Sequence, residues 1–182
     1  IGEGRSDLLL LAGDIVMLER PNLNFFEAYD LHVGLRQDVY AKRGVGATAN
    51  LLVSRRLFYA LNGFSELHFS GGDVEFCQRA KDMGVNLCFC PDAIVRHPLR
   101  ATWREIGAKE RRILGGKFDR FPIKTSLQAC APPIVRMLMI AGKSESSVTL
   151  KVKATLMLGV MWAYRLLLVV SFATRYEGNR TA

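Results

Sequence analysis

Cysteine is scarce. The chain carries four, Cys77, Cys88, Cys90 and Cys130, without the spacing of a small disulfide-stapled domain. Cys88-x-Cys90 lies in an apolar run, which puts both side chains on one face of a strand. A zinc site built from Cys77 and His97 lacks the second close-spaced pair that structural sites use; reduced core thiols in a cytosolic protein are the better reading. The chain starts at Ile1-Gly2-Glu3-Gly4, with no initiator methionine and no signal peptide. It reads as a piece cut from something longer. Internal repeats, low-complexity tracts and a Gly-rich phosphate loop are all missing, which excludes solenoids and P-loop chemistry.

What is present is a core-forming composition. Of 182 residues, 49% are hydrophobic and 23% charged, enough to fold one ordinary domain with a tail. Lys and Arg number 25 against 17 Asp and Glu, a net charge of +8. Such a balance favours anionic partners: nucleotide phosphates, anionic lipid head groups or nucleic acid. No recognised nucleic-acid module accompanies the charge, so nucleic acid is not among the expected partners.

Apolar periodicity and breakers divide the chain. Leu8 to Leu18 reads as one strand, or two around Gly13-Asp14. Asn22 or Asn24 caps a helix expected from about Phe25 to Tyr40. A short strand is expected over Ala47 to Val53 and a short helix over Ser54 to Leu61, stopped by Asn62-Gly63. Asp73 starts a helix to about Met83, ended by Gly84. Val85 to Cys90 and Ile94 to His97 are strands on either side of a Pro91-Asp92-Ala93 turn. Thr102 caps a basic helix to about Gly115. A soft boundary lies near Phe121-Pro122, giving residues 1–121 and 122–182.

Three features stand in order between Gly46 and Pro98. They are Gly46-Ala47-Thr48-Ala49-Asn50; Asn62-Gly63-Phe64 followed by Gly71-Gly72-Asp73-Val74-Glu75; and Pro91-Asp92-Ala93 leading to Val95-Arg96-His97-Pro98. Together they resemble the second half of a family 2 glycosyltransferase catalytic domain of the GT-A fold, over roughly Leu8 to Gly116. The resemblance implies an α/β fold: the C-terminal, acceptor-side half of a Rossmann-like, mixed-sheet domain, followed by apolar or amphipathic helices. The activity implied is inverting transfer of a sugar from a nucleotide-sugar donor to a hydroxyl acceptor, in cell-surface or lipid-linked glycan synthesis.

Chemistry and resemblance meet at Asp73. In-line displacement at an anomeric carbon needs a base for the acceptor hydroxyl proton. A carboxylate behind two glycines at a helix start suits that role, because the helix N-terminus stabilises its ionised form and the glycines leave room for a sugar. In the family pattern the second residue of a Glu-Asp pair is the base; Asp73 matches it, and Gly72 replaces the Glu. The competing reading of Asp73 is a plain N-cap. Thr48, Asn50, Gly71 and Gly72 are the expected acceptor-side surroundings. His97 faces the donor diphosphate or its metal in the family pattern, or is a hydrogen-bonded structural histidine. Arg100 leads a basic cluster with Arg104, Lys109, Arg111 and Arg112 that suits phosphate or lipid head groups, or is a solvated face. Glu75 is read as a supporting or solvent-facing charge.

A divalent cation, Mg or Mn, is expected with such a donor, held by an Asp-x-Asp motif that this chain lacks. The nucleotide-binding strands are therefore expected upstream, and the chain alone is expected to be inactive. The rival from another class is a non-catalytic, membrane-docked remnant or binding module of the same fold.

The tail carries its own message. Ala154 to Ala173 is 20 residues with one charge, Arg165, long enough to cross a bilayer. A central Arg costs about 2.5–3.5 kcal/mol on insertion scales, which a dozen apolar residues offset. The alternative is a helix lying in the interface. Either associates the protein with a membrane, with lipids as partners; the charges flanking the run give no orientation, and the glycan assembly that the resemblance implies is what places it on the cytoplasmic face.

Overall fold

Leu10, Ala12 and Ile15 are buried in a nine-residue segment whose one charge is Asp14, and this segment forms the central strand β1 (Leu10–Leu18). The computed structural model describes residues 8–66 and 70–178, and side chains as far as Thr174. The fold is mixed α/β and packs as two compact units, Ile1–Leu18 with Leu35–Pro98, and Glu19–Gly34 with Leu99–Ala182. This division concerns packing, whereas the boundary expected at Phe121-Pro122 concerns domain origin.

In the first unit β1 has a partner on each side. β2 (Leu51–Val53) runs antiparallel, with Leu10 opposite Val53. β3 (Cys88–Pro98) runs parallel, with Leu11 opposite Cys88 and Leu18 opposite Pro98. The β1–β3 register shifts between Gly13 and Asp14, where the partner jumps from Cys90 to Ile94. Pro91-Asp92-Ala93 is thus a bulge inside one strand and not a turn between two: the ladder resumes beyond it, and proline is tolerated at such a bulge. Four helical segments complete the unit: α2 (Gln37–Ala41), a 3-10 turn at Thr48–Asn50, α3 (Arg55–Ala60) and α4 (Gly72–Asp82). Ala47 to Asn50 was expected in a strand, but only Leu51–Val53 pairs with β1. Leu10, Leu57, Leu61, Phe76, Cys77, Ala80 and Val85 form the core.

The helix expected over Phe25 to Tyr40 is two helices. α1 (Phe25–Val33) begins on a capping box, Asn24 with Glu27, and ends at Gly34, whose N–H donates to the Asp30 carbonyl. A Cβ at Gly34 would stand 2.1 Å from that oxygen, so the close turn that breaks the helix requires glycine.

The second unit is helical: α1, α5 (Trp103–Arg120), α6 (Pro122–Cys130), α7 (Ile134–Ala141) and α8 (Val148–Gly178). Thr102 and Glu105 form a capping box for α5. Gly115-Gly116 does not end α5; the helix runs one more turn, to Arg120. Each internal glycine costs up to about 1 kcal/mol, offset by burial of Leu114 and Phe118 against Ala129, Leu168 and Val169. At Gly115 the missing Cβ leaves ordinary contact with the Phe172 ring, 3.7 Å away. A second cluster joins Ala28, Tyr29, Ile106 and Ile140 to Ala154, Met157, Leu158 and Met161 of α8. Two charge clusters lie within this apolar packing. Asp30 is fully buried and accepts from Arg100 and Lys109, each at 3.1 Å. Glu110 pairs with Arg165 at 2.5 Å.

Candidate active site

Gly71 adopts a left-handed conformation (φ 83°) and occupies the N-cap position of α4. Asp73 is therefore not the cap, as the plainer reading had it, but a first-turn residue. There it lies among backbone N–H groups that lack helical partners and favour a negative charge. Its Oδ1 accepts from the Val74 N–H at 2.9 Å and its Oδ2 from the Thr48 N–H at 3.4 Å. Thr48 itself is exposed and Asp73 half-buried. Among the described residues nothing lies within 4 Å of where a Cβ would sit on Gly71 or Gly72. The carboxylate is thus oriented beside a stretch of backbone that none of these residues crowds.

The position of the Thr48 N–H is set by a residue that sequence reasoning missed. Gln37, at the start of α2 and 1% exposed, wraps the 3-10 turn. Its Oε1 accepts from the Ala47 N–H (2.9 Å), and its Nε2 donates to the carbonyls of Ala47 (3.3 Å) and Asn50 (3.0 Å). A lone glutamine in a polar stretch carries no sequence signal for this, because the bonds join positions 10 and 13 residues apart.

Asn50 is brought to the same turn, but its amide faces the sheet. Nδ2 donates to the carbonyls of Asp14 and Ala93, both at 2.7 Å. Both N–H bonds are consumed in holding β1 to the β3 bulge. Gly13 makes room: a Cβ there would stand 2.4 Å from Asn50 Nδ2 and 2.2 Å from the Ala93 oxygen. Asn50 thus supports the floor behind Thr48.

A third tether positions α4. Arg79 pairs with Glu75 at 2.5 Å and donates to the carbonyls of Leu61 and of Gly63 (2.8 Å). Glu75 is accordingly a positioning charge. Asn62 and Gly63 both have positive φ, 54° and 69°, and Phe64 packs on Phe76 with ring centroids 4.8 Å apart. The Asn62-Gly63-Phe64 turn and the Asp73 helix are thereby fastened together. Part of the connecting loop, residues 67–69, lies outside the described residues.

His97 is half-buried near the end of β3, paired with Met17 three residues beyond Asp14, so about 10 Å along the strand from the Asn50 clamp. Its Nδ1 bonds to the Pro98 carbonyl at 2.8 Å. A carbonyl only accepts, so Nδ1 carries the proton and a neutral ring leaves Nε2 as an acceptor. Among the described residues no group of three or more His, Cys, Asp or Glu is placed to hold a metal ion. His97 Nε2 would offer such an ion one ligand atom.

Arg100 belongs to the second unit. Its backbone N–H and Nη1 both bond to Asp30 (3.1 Å each to Oδ2), which commits much of its hydrogen-bonding capacity to a structural charge cluster. Lys109 shares that cluster, and burial lowers its pKa, partly opposed by Asp30. Arg104, Arg111 and Arg112 are exposed along α5.

No protein family's sequence profile matches the chain, and no solved structure matches it. Over 94 residues, 51% of the chain, it is 34% identical to glycosyltransferase AglE of Haloferax volcanii. The chain spans about a third (31%) of that protein's length.

Proposed function

We propose that this chain is the acceptor-side part of an inverting, family 2-type glycosyltransferase of GT-A fold, with Asp73 as the base. The observation that carries this reading is the Asp73 carboxylate, oriented by the Thr48 and Val74 N–H groups beside the open Gly71-Gly72 backbone. Similarity to a glycosyltransferase over half the chain supports the glycosyl-transfer part of this reading.

In the proposed step an acceptor hydroxyl oxygen attacks the anomeric carbon. The bond from that carbon to the nucleotide diphosphate breaks, and its electron pair leaves with the phosphate. Asp73 takes the hydroxyl proton, which makes the oxygen a competent nucleophile as the new bond forms. Its two N–H donors hold the carboxylate in position. Attack opposite to departure inverts the anomeric centre. The donor is a nucleotide sugar and the acceptor a glycan or a lipid-linked hydroxyl. A divalent cation, Mg or Mn, would help to hold the donor diphosphate, and no step is assigned here to it. Residues 1–121 are assigned to the catalytic domain and 122–182 to a tail that places the enzyme on the cytoplasmic face of the membrane. α8 is long and apolar enough to cross one (Val148–Thr174, mean hydropathy 1.9).

The test is nucleotide release from a panel of nucleotide sugars by the native-length protein in lipid, wild type against Asp73→Asn. The expected result is a loss of about 10²–10⁴-fold, the usual range for a general base, with donor binding retained. Equal rates would remove Asp73 from the chemistry. No turnover in either protein with suitable acceptors present would favour the non-catalytic module.

A further inference from the structure

The buried side of α8 is apolar, as a packed helix requires, but so is its other side. Val148, Val152, Leu156, Val160, Leu167 and Val170 follow one another at intervals of three to seven residues and are all exposed, from 51% to 77%. They form one stripe about 33 Å long at 1.5 Å per residue. Ala163 is the exposed residue between Val160 and Leu167, so no charge interrupts the stripe. A surface helix in water presents polar residues outward. The two short helices packed on α8 repeat the pattern. On α7, Ile134, Val135, Leu138 and Met139 are exposed; on α6, Ile123 and Leu127.

The charge in this region is mostly positive. Between residues 121 and 174 there are six Lys or Arg and one Glu. Lys124 and Arg136 are exposed on the same short helices as the apolar residues. Uncovered apolar side chains set among cations are complementary to the acyl chains and phosphates of an anionic bilayer.

The contacts of α8 decide its orientation. Arg165, the one charge in its apolar stretch, is paired with Glu110 of α5 at 2.5 Å. Trp162 Nε1 donates to the Ala129 carbonyl of α6 at 3.0 Å, and Lys153 Nζ to the Leu23 carbonyl at 2.7 Å. Tyr164 meets Trp103 edge-on at 4.9 Å. Crossing a bilayer would strip these contacts from α8, carry Arg165 into hydrocarbon and leave Glu110 unpaired. Lying in the interface keeps every one of them.

We infer that α6, α7 and the outer stripe of α8 form a docking face for an anionic phospholipid surface, with α8 lying in the plane of the interface and not crossing it. This rests on the membrane-associated part of the reading above and not on the transfer chemistry.

Two measurements on the native-length protein test it. The first is flotation with phosphatidylcholine vesicles with and without phosphatidylglycerol. Binding is expected to require the anionic lipid, and Leu156→Glu or Val160→Glu, both at exposed positions, to weaken it roughly tenfold or more, since each removes a large apolar side chain from the contact. The second is topology. Val148→Cys and Thr174→Cys are introduced singly with Cys88→Ser, Cys90→Ser and Cys130→Ser, and a membrane-impermeant maleimide is added to intact and to lysed expressing cells. An in-plane α8 makes the two ends react alike, both protected or both labelled in intact cells. One end labelled in intact cells and the other only after lysis means that α8 spans, and overturns the inference. Absent flotation with concentration-dependent self-association would show that a second copy covers the face, which also overturns it; absent flotation without self-association does so too. A protein that fails to release nucleotide but floats and labels alike sinks the transfer chemistry and leaves the docking face standing.

Discussion

Replacing Asn50 by alanine removes two 2.7 Å hydrogen bonds and leaves the Asp14 and Ala93 carbonyls without their shared donor. Each bond of this kind contributes about 0.5–1.5 kcal/mol net, so the expected loss is about 1–3 kcal/mol. Asn50→Asp is the sharper perturbation. It keeps the shape but puts an acceptor-only carboxylate against two carbonyl oxygens, so it should cost more than alanine does. The loss is expected to be local. Both tryptophans, Trp103 and Trp162, lie in the second unit, so fluorescence-monitored urea unfolding reports that unit. Hydrogen exchange of the β1 and β3 amides reports the sheet. Protection in those strands should fall by the full amount, and by more than any change in the fluorescence transition. Gly13→Ala is the control, because its Cβ would meet a backbone oxygen at 2.2 Å and should loosen the same amides. Unchanged protection in Asn50→Ala, or equal losses in Asn50→Ala and Asn50→Asp, would refute the clamp.

Other outcomes follow from the same geometry. Glu110→Gln leaves Arg165 largely buried and unpaired, and should destabilise the second unit by about 3 kcal/mol, the low end for broken buried pairs; Trp fluorescence during urea unfolding measures it, and joint replacement of Glu110 and Arg165 by methionine should restore most of the loss. His32 is buried, bonded through Nδ1 to the Ala28 carbonyl and through Nε2 to Ser146 Oγ, and burial lowers its pKa below the ordinary 6.5. The unfolded chain then binds the proton more readily than the fold, so stability is fully present above pH 6.5 and falls as pH drops from there towards the depressed folded value. Melting curves from pH 8 to 5 should show that slope, and His32→Gln should flatten it. Asp73→Asn, expected to slow nucleotide release by the factor given above, should leave far-UV circular dichroism unchanged, because the amide keeps the shape and one acceptor oxygen.

How much of this was legible in the sequence differs from element to element. The caps at Asn24 and Thr102 were written in local chemistry, since each side-chain acceptor bonds an N–H only three residues away. β1, α3 and α4 were readable for a similar reason: their apolar spacing is a property of one segment. The break at Gly34 and the continuation through Gly115-Gly116 were not, because the same residue type ends one helix and is carried through another. What separates them is the packing of Leu114 and Phe118 in one case and a 2.1 Å approach to a carbonyl in the other.

At the site the division is similar. The sequence by itself placed Asp73 behind two glycines at a helix start and marked Thr48 and Asn50 as its neighbours, because motif order survives without coordinates. Only tertiary structure moved the cap to Gly71, turned the Asn50 amide into the sheet, gave Gln37 the task of shaping the turn and committed Arg100 to Asp30. It also neutralised Arg165, which the sequence shows as a lone charge in an apolar run. Each of these is a bond between groups far apart in the chain, and hydrogen bonds and ion pairs over such distances depend on angstrom-scale geometry that no local pattern encodes.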